Sequence, residues 1–263
     1  MSENRKRKHP ANDPVIKRAK SHKTPKPTRP SPTPSSTTTT LPKNWPPDIP
    51  YLTTPSYSPQ LSPSQLSALK IPDADLPSIP ESFPSSPATH VRITKITDPT
   101  HPAFGQSGLF ATAHLPPGTL ILPYLGEYHP GSGPGLKDGE YDYSRSDYDL
   151  WLDRDADVAV DAARCGNEAR FVNDYRGVPF TPPLVPIPGQ KVPKQQKTKP
   201  NAEFRVAWDV QRQERVMSVW VLPSGKKGLF QGIQKGEEVL VSYGRGFWEG
   251  RREVEGREEE KVG

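Results

Sequence analysis

Cysteine is nearly absent from this chain. Cys165 stands alone among 263 residues, so no intramolecular disulfide can form and a reducing compartment suits the protein. Six scattered histidines and one cysteine do not supply the closely spaced ligands of a structural zinc cluster, and no metal is expected. Cys165 itself reads as a buried small residue or as a reactive thiol. Apolar residues are scarce at 32%. No apolar run approaches the roughly 20 residues of a membrane span, and the amino terminus has no apolar signal core, so no membrane partner is expected.

Proline, by contrast, is abundant. Nineteen of the 34 prolines precede His90, mixed with serine and threonine in runs such as PSPTPSSTTTT. Such a composition cannot bury enough apolar surface to offset chain entropy, so residues 1–85 are predicted to form a largely disordered tail. Within it, Ser62 and Pro63 can start a helical turn through Leu66 and Leu69, read either as a docking helix or as residual coil.

Charge is also unevenly placed. Residues 1–30 carry ten basic and two acidic side chains, or +8, against a whole-chain charge of +5, which leaves −3 for the remainder. Weak nonspecific attraction to nucleic acid or to acidic proteins therefore belongs to the tail. Arg5 and Lys6, then ten residues, then Lys17, Arg18 and Lys20 have the spacing of a bipartite signal for an import receptor. That spacing points to the nucleus, with the cytoplasm as the other compartment. A merely solvated basic tail is the plainer reading.

From Val91 onward short apolar runs alternate with glycine and proline. This punctuation predicts strands over 109–113, 120–124, 158–161, 204–210, 216–222 and 239–243, with a turn at 211–215 and one short helical stretch at 165–172. The fold class is mostly β, with several small β-sheets, few short helices and a long disordered tail in front. Residues 178–201 are proline-rich and carry Lys191, Lys194, Lys197 and Lys199 without an acid. They read as an exposed insert, either a guide for an acidic partner or nucleic acid or a flexible insertion. Residues 251–263 form a charged tail.

Two segments carry chemistry. Residues 167–174 read NEARFVND and place the polar Asn167, Arg170 and Asn173 around Phe171 and Val172, a half-buried stretch whose amides and guanidinium need partners. Residues 236–244 read GEEVLVSYG, a glycine turn with Glu237 and Glu238, then a buried strand with Tyr243 at its end. A phenol there is apolar on its body and polar at its tip, which fits an active-site lining. A core tyrosine with its hydroxyl on a backbone carbonyl is the competing reading.

Taken together and in this order, the two segments resemble the signatures of the SET-domain protein lysine methyltransferases. The family's N-x-x-R-F-x-N-H stretch is matched at Asn167, Arg170, Phe171 and Asn173, and its G-E-E-L strand ending in tyrosine at Gly236, Glu237, Glu238 and Tyr243. Gly108, Leu109, Phe110 and Ala111 look like the end of its G-x-G-L-F-A turn, and Tyr124, Leu125, Gly126 and Glu127 resemble its Y-x-G-E strand. The resemblance spans residues 88–250, without cysteine-rich zinc clusters on either side. There are two departures. Gln106 stands where the first glycine of G-x-G would be, with Gly105 one place earlier, and Asp174 replaces the family's histidine, an acceptor-only carboxylate for a ring that can donate.

The resemblance implies S-adenosyl-L-methionine as cofactor and a protein lysine, on a histone or another protein, as substrate. It implies cofactor contacts from Ser107, Gly108, Leu109, Asn173 and Asp174. Trp248 is a further cofactor candidate that either stacks on adenine or caps the core. Tyr243 is the implied catalytic residue. Tyr124, Tyr148, Trp151 and Phe247 are candidates for the lysine channel, where aromatic faces suit an alkyl stem and an ammonium head. Arg170 reads as structural, and Glu237 and Glu238 as turn and ion-pair residues, one of which could meet a basic substrate.

Presenting an uncharged lysine amine at pH 7 costs about 4.6 kcal/mol. A nearby sulfonium offsets roughly 4 to 5 kcal/mol of that at an effective dielectric near 20, so no strong base is demanded and Tyr243 is expected to orient the amine. The alternative is a catalytically inactive SET-fold chromatin-associated scaffold, motivated by Gln106 and Asp174. A third reading makes the chain a nucleic-acid binder through its basic tail.

Overall fold

A computed structural model describes residues 40–83, 87–132, 141–180, 197–225, 228 and 230–244. Thirteen regular elements follow in chain order: β1 (Ser56–Tyr57), α1 (Pro63–Ala68), β2 (Ser78–Ile79), β3 (Val91–Lys95), β4 (Ser107–Ala111), β5 (Leu120–Pro123), β6 (Glu127–Pro130), β7 (Asp149–Asp153), β8 (Val158–Asp161), β9 (Asn173–Asp174), β10 (Ala202–Asp209), β11 (Glu214–Val221) and β12 (Leu240–Val241). Two short 3-10 turns, Tyr143–Arg145 and Glu168–Phe171, complete them. The chain is mostly β and built from small sheets, as its glycine and proline punctuation predicts.

The described residues form four sheets. One runs β1-β6-β8-β7, a second β2-β10-β11-β5, and two-stranded sheets join β3 to β4 and β9 to β12. The longest ladder is the antiparallel pair of β10 and β11, in register from Ala202 opposite Val221 to Asp209 opposite Glu214. Alternation along these strands sends Ala207 and Val216 to one buried face and Met217 and Val219 to the other. The predicted turn at 211–215 is shorter than expected because Glu214 already pairs with Asp209. Its carboxylate is buried and accepts the Tyr57 hydroxyl at 2.7 and 2.8 Å.

The predicted disorder of residues 1–85 does not hold for 40–83. Prolines lower the average apolar content of that stretch, but a few anchors suffice to fasten it. Trp45, Leu61, Leu69 and Ile79 are buried, β1 adds parallel to β6, and β2 adds parallel to β10. Trp45 meets Tyr51 and Phe171 edge to face, with centroids 4.9 and 5.8 Å apart. The buried carboxylate of Glu168 accepts the Tyr51 hydroxyl and the Ala88 amide, both at 2.9 Å, and so ties the early segment to the NEARF motif. Strand additions of two residues at sheet edges tolerate prolines on either side, because few ladder donors are required.

The folded unit accordingly starts well before residue 88. Helix α1 forms at the Ser62–Pro63 signal with a capping box between Ser62 and Gln65, and Gln65 Nε2 donates to the Asp157 carbonyl at 2.7 Å. It is therefore a docked helix and not residual coil. Residues 1–39, which include the proposed import signal, lie outside the described residues, as do 181–196 of the insert and the 251–263 tail. Among the described residues no helix is long and apolar enough to cross a membrane.

Candidate active site

The two chemistry-bearing segments, more than sixty residues apart in sequence, become neighbouring strands. β9 and β12 run parallel, with Asn173 opposite Leu240 and Asp174 opposite Val241. The segment before β12 also pairs with β4: the Ala111 amide donates to the Glu237 carbonyl and the Val239 amide to the Leu109 carbonyl. The three motifs centred on Gly108, Asn173 and Tyr243 thus share one patch of backbone.

A cavity of about 510 Å³ opens beside this patch, walled by Tyr124, Tyr148, Trp151, Phe204, Val172 and Tyr243. Asp147, Asp149, Leu150, Arg154 and Arg170 complete its lining. Three of the four sequence-derived channel candidates, Tyr124, Tyr148 and Trp151, meet Tyr243 here. The fourth, Phe247, and the cofactor candidate Trp248 lie outside the described residues.

Each wall residue is fixed by its element. The Tyr124 hydroxyl donates to the Tyr148 carbonyl at 2.7 Å, and its ring meets Phe204 of β10 edge to face at 5.4 Å. A β-bulge between Trp151 and Asp153 buries Leu152 and leaves Trp151 partly exposed at the rim, with the Arg154 guanidinium over its ring. Asp149 is held by the buried ring of His129 at 2.9 Å, and that ring stacks on Tyr143.

Tyr243 combines a backbone bond with a place at the cavity. Its hydroxyl donates to the Val172 carbonyl at 2.7 Å while its ring lines the cavity. Burial, with Tyr148 and Asp174 as further causes, pushes its pKa well above the ordinary tyrosine value. It therefore stays a neutral phenol at neutral pH. A hydroxyl whose proton is spent on a carbonyl acts toward other groups as an acceptor.

Asp174 explains its own departure from the family pattern. Its side chain accepts the amides of Arg176 at 2.8 Å and Tyr243 at 2.7 Å, and pairs with the Arg176 guanidinium at 2.7 Å. A single imidazole could not accept from all three donors.

Asn173, one residue past Val172, is not among the residues that line the cavity. Its Nδ2 donates to Glu238 Oε1 at 2.8 Å and, more weakly, to the Ser107 carbonyl at 3.4 Å. A Cβ built on Gly108 would lie 2.4 Å from Glu238 Oε1. The glycine therefore admits the Glu238 carboxylate between β4 and β9. Leu109 is fully buried in the core, so its side chain is a packing element.

The remaining motif residues are structural. Arg170 donates to the Ala162 and Ala163 carbonyls, and its guanidinium lies over the Tyr148 ring. Asn167 is buried and bridges the Leu125 amide and the Pro123 carbonyl. Glu237 accepts the Gln234 amide in the turn before β12. Burial raises the Cys165 thiol pKa, which fits an inert small residue and not a reactive one.

Sequence reasoning missed Phe204, Asp147 and Asp149. The acid–aromatic–acid run 147–149 was a signal for the last two. Phe204 had none, because it reaches the cavity only through the pairing of β10 across the sheet.

No known family model and no curated protein match the chain. Among solved structures it is similar to a polycomb repressive complex 2 from Chaetomium thermophilum, at 20% identity over 59% of this chain with a TM-score of 0.36. It is also similar to a ctPRC2 structure in an autoinhibited conformation bound to S-adenosylmethionine, at 19% identity over 60% with a TM-score of 0.37. A third match is the Chaetomium thermophilum complex bound to GSK126, at 20% identity over 62% with a TM-score of 0.38. The chain spans 15 to 17% of the length of the chains it matches in these three.

Proposed function

We propose that this chain is a SET-type protein lysine methyltransferase that moves a methyl group from S-adenosylmethionine to the ε-amine of a protein lysine. The observation that carries the proposal is the meeting of Tyr243 with Tyr124, Tyr148, Trp151 and Phe204 around one cavity, which Val172 also lines immediately before Asn173. The amine acceptor, bonded to the Val172 carbonyl, and the cofactor contact at Asn173 then meet consecutive residues of one backbone.

The residues fit both ligands. Aromatic walls suit the apolar stem of lysine and its ammonium head. For the cofactor, Asn173 Oδ1 has no donor among the described residues and sits next to Ser107 and the side-chain-free Gly108. That arrangement suits a ligand carrying an N–H donor such as an α-ammonium.

When bound, the cofactor supplies the methyl group and a sulfonium charge that favours the neutral amine. Tyr243, with its own proton directed at Val172, accepts an N–H of the substrate amine and so turns the nitrogen lone pair away from itself. Tyr124 and Phe204 hold the alkyl stem, and exclusion of water by these rings strengthens each polar contact inside.

Because Asp174 is engaged in holding the Tyr243 backbone, its presence supports the catalytic reading over an inactive scaffold. A histone or another chromatin protein, a nuclear location and recognition of the basic tail by an import receptor belong to this proposal. Calorimetric titration of the full chain with S-adenosylmethionine, followed by transfer of labelled methyl to lysine peptides, tests it. Saturable binding and transfer are expected; a folded chain that binds no cofactor and modifies no lysine would sink it.

A further inference from the structure

The buried side chains of His101 and Glu238 lie behind Asn173 and have no place in the steps above. His101 belongs to the loop between β3 and β4, the loop that departs from the family pattern at Gln106. This loop closes on itself: the Ile96 amide donates to the Gln106 carbonyl, the Gly105 amide to the Ile96 carbonyl, and the Ala103 amide to His101 Nδ1 at 3.0 Å.

That last bond fixes the tautomer. An imidazole nitrogen that accepts carries no proton, so the ring proton sits on Nε2. Nε2 faces Glu238 Oε2 at 3.0 Å and donates to it. The other carboxylate oxygen, Oε1, accepts Asn173 Nδ2 at 2.8 Å. Each link thus has one permitted direction: the Ala103 amide donates to His101, and His101 and Asn173 both donate to the Glu238 carboxylate.

The direction matters at the last member. A primary amide can present either its oxygen or its NH2 group to a ligand, and the two faces differ little in shape. Because the Glu238 carboxylate and the Ser107 carbonyl accept only, both draw Nδ2, and Oδ1 is left to face outward. We propose that His101 and Glu238 are positioning residues that lock the Asn173 amide with Oδ1 outward, so that the site selects a ligand bearing a cationic ammonium next to its thioether or sulfonium. This rests on the proposed function and names the part of the cofactor that the relay reads. It also gives the altered β3–β4 loop a role, since the loop supplies the proton donor at the start of the chain.

The relay predicts selective loss. Glu238→Gln places an amide where both neighbours donate, and His101→Ala removes the first donor. In the glutamine variant Asn173 is free to flip, and in the alanine variant the Glu238 carboxylate loses the donor that fixes its other oxygen and with it the position from which it draws Nδ2. The full-length protein and both variants are titrated by calorimetry with S-adenosylmethionine and with 5′-methylthioadenosine, which lacks the amino-acid end, and each variant is checked by thermal unfolding.

The relay is supported if the variants bind S-adenosylmethionine about tenfold more weakly, the scale of one hydrogen bond to a charged group, while 5′-methylthioadenosine binds them as it binds the wild type. If both ligands weaken together, the residues merely hold the site in shape and the proposal is overturned. If neither weakens, it is likewise overturned while the cofactor assignment stands. A wild-type protein that binds neither ligand overturns the relay and the methyltransferase reading at once.

Discussion

The Asp174 carboxylate accepts the backbone amide of Tyr243 at 2.7 Å and so moors the end of β12 to β9. Removing it leaves the Tyr243 and Arg176 amides without this acceptor and the Arg176 guanidinium without its carboxylate. Asp174→Ala is expected to lower unfolding stability by about 2 to 4 kcal/mol. Asp174→His should fare little better, because one imidazole cannot serve these donors. Urea unfolding of both variants measures this; a histidine variant as stable as the wild type would show that the carboxylate is dispensable.

Tyr243→Phe separates orientation from binding. The ring still lines the cavity, while the hydroxyl and its bond to the Val172 carbonyl are lost. Methyl transfer is expected to fall by about a hundredfold, the scale of misorienting a reacting group. On the proposed reading cofactor affinity should change little, since Asn173 is not among the residues that line the cavity. Single-turnover transfer assays beside calorimetry check the split, and a parallel loss of both would place Tyr243 in the cofactor site instead.

Periodicity and turn residues made the β class legible, and 158–161 is a strand with the bounds its apolar run suggests. Motif order led to Asn173 and Tyr243, and aromatic character to Tyr124, Tyr148 and Trp151. What stayed hidden depends on long-range pairing. Phe204 enters the cavity from β10, and His101 meets Glu238 across 137 residues. The segment 40–83 was concealed for a related reason. Its composition is that of a disordered chain, and only the sites that receive Trp45, Leu61 and Leu69 reveal it as part of the core.

Trp45 tests that segment directly. Its indole packs on Tyr51 and Phe171, and its Nε1 donates to the Ile49 carbonyl. Trp45→Ala in the full chain is expected to cost about 3 to 5 kcal/mol, as for other large-to-small core changes. A fragment beginning at residue 88 would lose the same contacts together with the Tyr51 bond to Glu168, and should not give a cooperative unfolding transition. Circular dichroism melts of both proteins decide it; a well-folded 88–263 fragment would make the early segment an accessory.

Two glycines of the same loop and strand should respond differently. Gly108→Ala drives a methyl group into the Glu238 carboxylate and disturbs its bond to Asn173, with an expected cost of about 1 to 3 kcal/mol and weaker cofactor binding. Gly105 has a φ of +79° but open space around its Cα, so Gly105→Ala should cost only about 1 to 2 kcal/mol of backbone strain and leave Asn173 in place. Unfolding and calorimetric measurements on the pair should show cofactor affinity falling for Gly108→Ala alone. Equal losses would mean that the loop, and not the Glu238 contact, governs the site.

His129 gives the fold a pH dependence of known sign. Its Nδ1 faces the Pro130 carbonyl and its Nε2 the Asp149 carboxylate, each at 2.9 Å, so two acceptors ask for two ring protons. Burial opposes that charge, but the Asp149 bond and field, with Asp161 adding to them, raise the pKa above the ordinary 6.5. Tyr143 stacks on the ring and carries no charge at neutral pH. A pKa raised by folding stabilises the native state fully below the unfolded value of 6.5, and that contribution fades as pH climbs through the higher folded value. The stability gap between wild type and His129→Gln should therefore be widest near about pH 5.5 and narrow by about pH 8.5, a range in which few other side chains titrate. Denaturant unfolding at the two pH values reads the gap directly, and an equal gap at both would show that the ring is neutral in the folded protein and that Asp149 is held by a neutral hydrogen bond.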